Sequence, residues 1–290
     1  MLENIKTKYK NMKGIVLGVL MSLIMSVSYG QYGVMIDYTK ETWSEVKKSK
    51  LYVVYENEGT SAYDKALKEA ITANWKFSTV EYINYDKYEE LQKIESNFFL
   101  LSVDFTSSQP GRYNENLSYM YIVRGYKKGA KKGDISRFPK LAAMQTGDLS
   151  REIYLPLLIK HLNKSVEEVA AGKITSLGDN TKKLNTNRSK VKSKVLYLLE
   201  TDLNDKITSE KDIKDEGYEG KVKVVSKEEL AKKIKDGEDV NILFCARSST
   251  KSYIHVYNAS TGDEYYNSFN LVTKKWPAGI IPYHFKKWNK

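Results

Sequence analysis

The chain has 290 residues, 41% of them hydrophobic and 29% charged. That composition excludes a disordered tail, a collagen and a multi-span membrane protein, and the length suits one large domain or two small ones. A single cysteine and three scattered histidines exclude a disulfide framework, a cysteine zinc site and a CxxC redox centre, and leave little for a histidine metal cluster.

The N-terminus is laid out as an export signal. Lys6, Lys8, Lys10 and Lys13 form a basic region, and Ile15 to Val27 is apolar apart from Gly18, Ser22 and Ser26. Ser28 and Gly30 then put small residues at minus three and minus one of a cut before Gln31. The apolar run is shorter than the about 20 residues a spanning helix needs, and no other stretch could span. Residues 1–30 therefore read as a signal peptide, and the mature chain as periplasmic or extracellular. The formal charge of +11 would lose four lysines and Glu3 with the signal, leaving +8. Only six residues are arginine, the side chain suited to bidentate phosphate recognition. A lysine-rich surface of this kind reads first as solvation and second as affinity for anionic polymer or lipid headgroups. It speaks against nucleic acid.

The mature chain alternates strand and helix patterns. Leu51 to Glu56 reads as a buried strand. Ser61 to Asp64 resembles a capping box, and Tyr63, Leu67, Ala70 and Ile71 follow helical spacing. Thr79 to Asn84 alternates as a strand, and Asp86 to Glu89 opens a helix with Leu91 and Ile94 on its buried side. Asn97 to Phe105 and Leu117 to Gly125 are strands around a turn at Pro110-Gly111. A second block starts near Lys194: strands at 195–200 and 221–225, a weak helix at 206–217, and a capping box at Ser226 to Glu229. Strands at 240–246, 252–258 and 264–268 follow, and the remainder from Leu271 reads as an irregular tail.

The two blocks share an order and short strings. Leu51-Tyr52-Val53-Val54 matches Leu196-Tyr197-Leu198-Leu199, and Glu89-Glu90-Leu91 matches Glu228-Glu229-Leu230. Phe98 to Leu101 sits like Ile242 to Cys245, and Ser118-Tyr119-Met120 matches Ser252-Tyr253-Ile254. The nearly constant offset implies an internal duplication of one unit. The expected fold class is α/β (α+β), with two tandem related β-α-β-α-β-β units joined by a helical segment. Each sheet is expected to bury one face under two helices. The divisions are a first unit at 31–148, a helical connector at 149–175, a basic linker at 176–193 and a second unit with its tail at 194–290. In the connector, Leu155, Leu158, Ile159 and Leu162 share a face, Pro156 is a start or kink, and Ser165 to Glu168 resembles a new helix start.

No residue pattern names a reaction. Cys245 lies in an apolar strand and reads as a small core residue. His161, His255 and His284 are far apart, and His255 should face away from Ile254 and Val256, on the more exposed side of its strand. Asp104 is placed near a strand end, and Asp202 and Asp205 follow a strand; such positions commonly hold turns and caps. Neither GxGxxG nor GxxxxGK[ST] is present. The densest basic stretch holds Arg124, Lys127, Lys128, Lys131, Lys132, Arg137 and Lys140, a solvated loop or a contact for an anionic surface. Tyr119, Tyr121, Tyr253 and Tyr257 alternate along strands and read as sheet packing, with a stacking platform as the alternative. Asn-x-Ser sequons stand at Asn116, Asn163, Asn187 and Asn258.

The order of strands and helices, with the string "VEYINYDKYEEL", loosely resembles the periplasmic α/β domains at the N-terminus of TolB and of curli-secretion-type envelope proteins, and uncharacterised exported bacterial α/β proteins. The resemblance covers about 75 residues of each half and carries no functional residue across. It implies a non-catalytic role in envelope assembly or binding. The leading expectation is an exported, non-enzymatic protein with an envelope or secreted protein partner, no cofactor, no metal and no catalytic residue. The alternatives are a carboxylate-dependent hydrolase or transferase with a cleft between the halves, and attachment to anionic polymer or lipid through the lysine-rich loops.

Overall fold

The computed structural model describes residues 34–109, 112–128, 139–147 and 151–290. The export signal expected at 1–30 lies outside them. The chain folds as α/β with two five-stranded mixed sheets of the same topology. The first sheet contains β1 (Lys50–Val54), β2 (Thr79–Ile83), β3 (Phe98–Gln109), β4 (Arg112–Arg124) and β5 (Lys140–Gly147), in the order β2-β1-β3-β4-β5. The second contains β6 (Leu196–Leu199), β7 (Val222–Val225), β8 (Asn241–Arg247), β9 (Lys251–Asn258) and β10 (Glu264–Leu271), in the order β7-β6-β8-β9-β10. In each, the three strands at one side run parallel and the last two pairings are antiparallel. All four sequence matches fall on equivalent elements.

The helices are α1 (Lys40–Lys48), α2 (Ala62–Asn74), α3 (Tyr85–Leu91), α4 (Arg151–Ala170), α5 (Leu177–Asn187), α6 (Glu210–Asp215), α7 (Lys227–Asp236) and α8 (Pro282–Trp288). Caps set their starts as the residue types dictate. The hydroxyls of Ser61, Ser176, Ser209 and Ser226, and the side-chain oxygen of Asn84, each accept a backbone N–H from the first turn. Gly237 closes α7 in the left-handed conformation, at φ 62°, where a side chain would be strained.

Several expectations need correction. α1 and β5 were not foreseen. α1 buries only Trp43 and Val46, and β5 is rich in alanine rather than β-branched residues. The 176–193 stretch, read as a basic linker, is helical, with α5 followed by a 3-10 segment at Arg188–Lys192. The C-terminal stretch includes α8, with Phe285 and Trp288 fully buried. Pro156 and Ser165 both lie inside α4, so neither begins a helix. On α3 the buried residue is Tyr88, while Ile94 is 47% exposed.

Both faces of each sheet carry buried side chains, not one. One apolar cluster lies on the α3 side of the first sheet, around Tyr88, Phe99 and Val123. Another packs the second sheet against α6 and α8. The largest cluster draws on both sheets at once, with α4 running through it. Tyr154, Leu155, Leu157, Leu158, Ile159, Leu162, Val166 and Val169 of α4 are all buried, too many directions for a helix with one apolar stripe. Residues 34–37 cover the outer edge of β5: Val34 O accepts Ala143 N at 2.8 Å and Leu141 O accepts Ile36 N at 3.0 Å. That pairing removes an open sheet edge.

Polar pegs fix α4 to each unit. Asn163 Oδ1 accepts Lys76 N at 2.7 Å and Phe77 N at 3.0 Å, just beyond α2. On the other side, Lys160 Nζ donates to Ala259 O at 2.9 Å and Lys164 Nζ pairs with Asp263 at 2.7 Å. Gly262, at φ 69°, approaches so closely that a Cβ there would lie 2.8 Å from Lys160 Cγ. Asn163→Ala would leave two backbone donors unsatisfied. We expect it to lower stability by about 1–3 kcal/mol in urea unfolding; a change near zero would show that the peg contributes nothing.

Candidate functional site

Where the two units meet, the chain assembles a buried polar cluster from four elements. His255 stands on β9 and Glu264 at the start of β10; His161 comes from α4 and Gln145 from β5 of the first unit. His255 Nδ1 lies 2.7 Å from Glu264 Oε1, and Tyr257 Oη is 3.2 Å from the same nitrogen. His255 Nε2 faces Gln145 Oε1 at 3.3 Å, and Gln145 Nε2 donates to Tyr119 Oη at 3.2 Å. His161 Nδ1 meets Gly262 O at 2.9 Å. Its Nε2 stands 3.8 Å from Glu264 Oε2, beyond hydrogen-bond range, and is buried without another partner among the described residues.

Burial sets the electrostatics. It works to raise the Glu264 carboxyl, but the hydrogen bond and charge of His255, with the charge of His161, outweigh it, and the carboxyl sits below its ordinary value. Burial lowers His161, with Glu264 opposing only in part. Burial, then the Glu264 carboxylate, pushes the Tyr257 hydroxyl well above its usual range. A histidine–carboxylate pair is the chemistry of a general base. Here the His255 and Glu264 side chains are 8% and 5% exposed, and protein oxygens face both ring nitrogens of His255. The pair is occupied in joining β9, β10 and β5.

The expectation that His255 faces the more exposed side is overturned. Every residue from Ser252 to Asn258 is buried, because the first unit covers the face that solvent would otherwise reach. Sequence reasoning also missed that His161 and His255 converge on Glu264. His284 is separate: its Nδ1 meets Tyr266 Oη at 2.8 Å and its Nε2 meets Asn270 Oδ1 at 3.0 Å, while burial lowers its pKa to about 3. Among the described residues no group of three or more His, Cys, Asp or Glu side chains could hold a metal ion.

Of the carboxylates at or after strands, Asp64 and Asp202 organise loops. Asp104 is mid-strand, since β3 runs on to Gln109, and it accepts the Ser118 hydroxyl at 2.6 Å. Asp64, fully buried, accepts the backbone N–H groups of Glu56, Asn57 and Gly59 after β1. Asp202 accepts Leu199 N at 2.8 Å after β6. Asp205 is exposed, and Cys245 is half-buried in β8 against the second-unit core. Tyr253 and Tyr257 lie in the shared core, while Tyr119 and Tyr121 stack at 5.8 Å on β4.

The basic stretch is only partly described. Arg124 pairs with Glu45 of α1 and covers the Phe98 ring at 5.1 Å. Lys127 and Lys128 are exposed, and burial lowers the pKa of the half-buried Lys140. Lys131, Lys132 and Arg137 lie outside the described residues. The sequons at Asn163, Asn187 and Asn258 are buried, so the folded chain withholds them from glycosylation. Asn116 is in β4, its side chain outside the described set. Comparison with known proteins finds no matching family model, curated protein or solved structure.

Asp202 gives a signed pH prediction. Burial raises its pKa to about 7, against the Leu199 hydrogen bond and the Arg247 charge. An unfolded aspartate releases its proton near ~4. The folded chain therefore holds a proton that the unfolded chain has lost, and stability falls as pH rises from about 4 to about 7. Asp202→Asn removes that dependence. We expect the variant to exceed the native chain by about 1–3 kcal/mol near pH 8, with the gap closing toward pH 4 in urea titrations. A gap independent of pH would contradict this.

Proposed function

We propose that the chain is an exported binding or assembly protein of the cell envelope, acting without chemistry of its own on an envelope or secreted protein partner. The observation that carries the reading is the His255–Glu264 pair. The pair with the composition of a general base is buried between the units, with its polar atoms facing protein groups. The other buried acids serve loops in the same way. Side chains from both units fill the space between the sheets, where the carboxylate-enzyme alternative would need a cleft. The N-terminal pattern of basic and apolar residues supports export.

A second reading, attachment to anionic polymer or lipid through the lysine-rich loop, is favoured by the exposure of Lys127 and Lys128. Charge-mediated attachment would weaken steeply with salt.

The test is a crosslinked pull-down with the processed chain from its own host, eluted in rising salt. The chain should begin near Gln31, and a stoichiometric protein should survive about 0.5 M salt. A chain that keeps residues 1–30 inside the cell would contradict the proposal. So would turnover of a substrate that Glu264→Gln abolishes in a folded protein. Release of all bound material at moderate salt would favour the second reading.

A further inference from the structure

A recess on the second unit lies between α5, the 3-10 segment after it, the middle of β10 and α8. Its volume is about 180 Å³, and its walls include Arg188, Lys287, Asn267, Ser268, Tyr266 and Tyr283. The α4 network described above is elsewhere, and none of its members lines this recess.

Three features of the walls point to one ligand chemistry. The first is unpaired positive charge. Arg188 and Lys287 both border the recess, and among the described residues neither has a carboxylate within ion-pair distance. Arg188 is steadied by a hydrogen bond from its guanidinium to Asn185 Oδ1, and Lys287 Nζ lies 5.3 Å from the Tyr283 ring centre. A guanidinium presents a planar fork of donors that matches an oxyanion. The second feature is an aromatic plate: Tyr283 is 50% exposed, beside the cations. Aromatic rings at a wet edge take the apolar face of a ring-shaped ligand while leaving its polar groups free.

The third feature is neutral hydrogen-bonding capacity. Ser268 borders the recess from the face of β10 that carries Tyr266, while the Asn267 side chain projects to the opposite face. A serine hydroxyl on such a wall can donate to or accept from a ligand hydroxyl. Behind this wall the Tyr266–His284–Asn270 chain of hydrogen bonds is buried and holds β10 against α8. The volume corresponds to about six waters and is below the roughly 300 Å³ of a drug-sized pocket, so it suits one small unit rather than a polymer segment.

We propose that this recess binds a small hydroxylated oxyanion: one sugar-sized unit carrying a carboxylate or a phosphate. Arg188 takes the oxyanion, Lys287 adds charge, Tyr283 covers the ring, and Ser268 meets a hydroxyl.

Calorimetric titration of the full chain with glucuronate, glucose 6-phosphate, glucose and inorganic phosphate tests this. At least one of the two sugar oxyanions should bind at about millimolar strength or better, with glucose about tenfold weaker or more. Arg188→Gln should weaken the binding sugar oxyanion about tenfold, and Lys287→Gln should weaken it in the same direction. Preference for glucuronate would assign the anion as a carboxylate, and preference for glucose 6-phosphate as a phosphate; either supports the proposal. Inorganic phosphate binding as tightly as the sugar phosphate would overturn the hydroxylated ligand. Lack of binding by both sugar oxyanions at about 20 mM would overturn the site. So would full-strength binding by the folded Arg188→Gln and Lys287→Gln proteins, with folding checked by circular dichroism. Should Arg188→Gln fail to fold, Lys287→Gln and Tyr283→Ala carry the same test from more exposed positions.

Discussion

The fold depends on a single helix that belongs to both units. α4 sits between the two sheets with Leu155, Leu158 and Ile159 fully excluded from solvent. Removing one such leucine side chain from a packed core costs about 2–5 kcal/mol, and here each contact on the first unit is continuous with contacts on the second. A connector packed against only one unit would leave two domains free to move. A helix whose apolar side chains are buried against both units makes their separation as unfavourable as opening a core.

The polar groups follow from that burial. Once α4 fills the interface, any polar side chain there must find a partner inside the protein. Asn163 satisfies two amides of the first unit, while Lys160, His161 and Lys164 reach the β9–β10 turn of the second. His255, Glu264, Tyr257 and Gln145 complete the join from the strands. Removing one partner of a buried hydrogen bond leaves the other unsatisfied at a cost of about 1–3 kcal/mol, so these groups favour one docking geometry. His161 and His284, held below their ordinary pKa by burial, resist protonation in the folded state. Their contribution is present above about pH 6.5 and is lost as pH falls below it.

Most of the architecture was legible in the sequence. The strands at 51–56 and 195–200, the capping serines at 61 and 226, and the repeated short strings located the two units, because period and capping are local signals. What was missed depends on contacts between distant segments. β5 carries Leu141, Ala142 and Ala143, whose burial becomes apparent only once β4 and residues 34–37 flank them. α8 did have a local signal, Pro282 at its first turn with Phe285 and Trp288 three residues apart, and was nevertheless read as irregular. The alternation of His255 with Ile254 and Val256 was read correctly as a face. Its direction was misjudged because a strand cannot reveal that a second sheet covers its other side. No spacing rule could bring His161 to Glu264 across about a hundred residues, or gather Arg188, Ser268 and Lys287 around one recess.

Native-state hydrogen exchange on the full chain tests most directly whether α4 makes the two units one cooperative body. The slowest amides of β4, at Met120 and Ile122, and of β9, at Ile254 and Val256, should open with the same free energy and the same denaturant slope. Opening free energies that differ by more than about 2 kcal/mol between the two strands would contradict the account, since each unit would then unfold without the other.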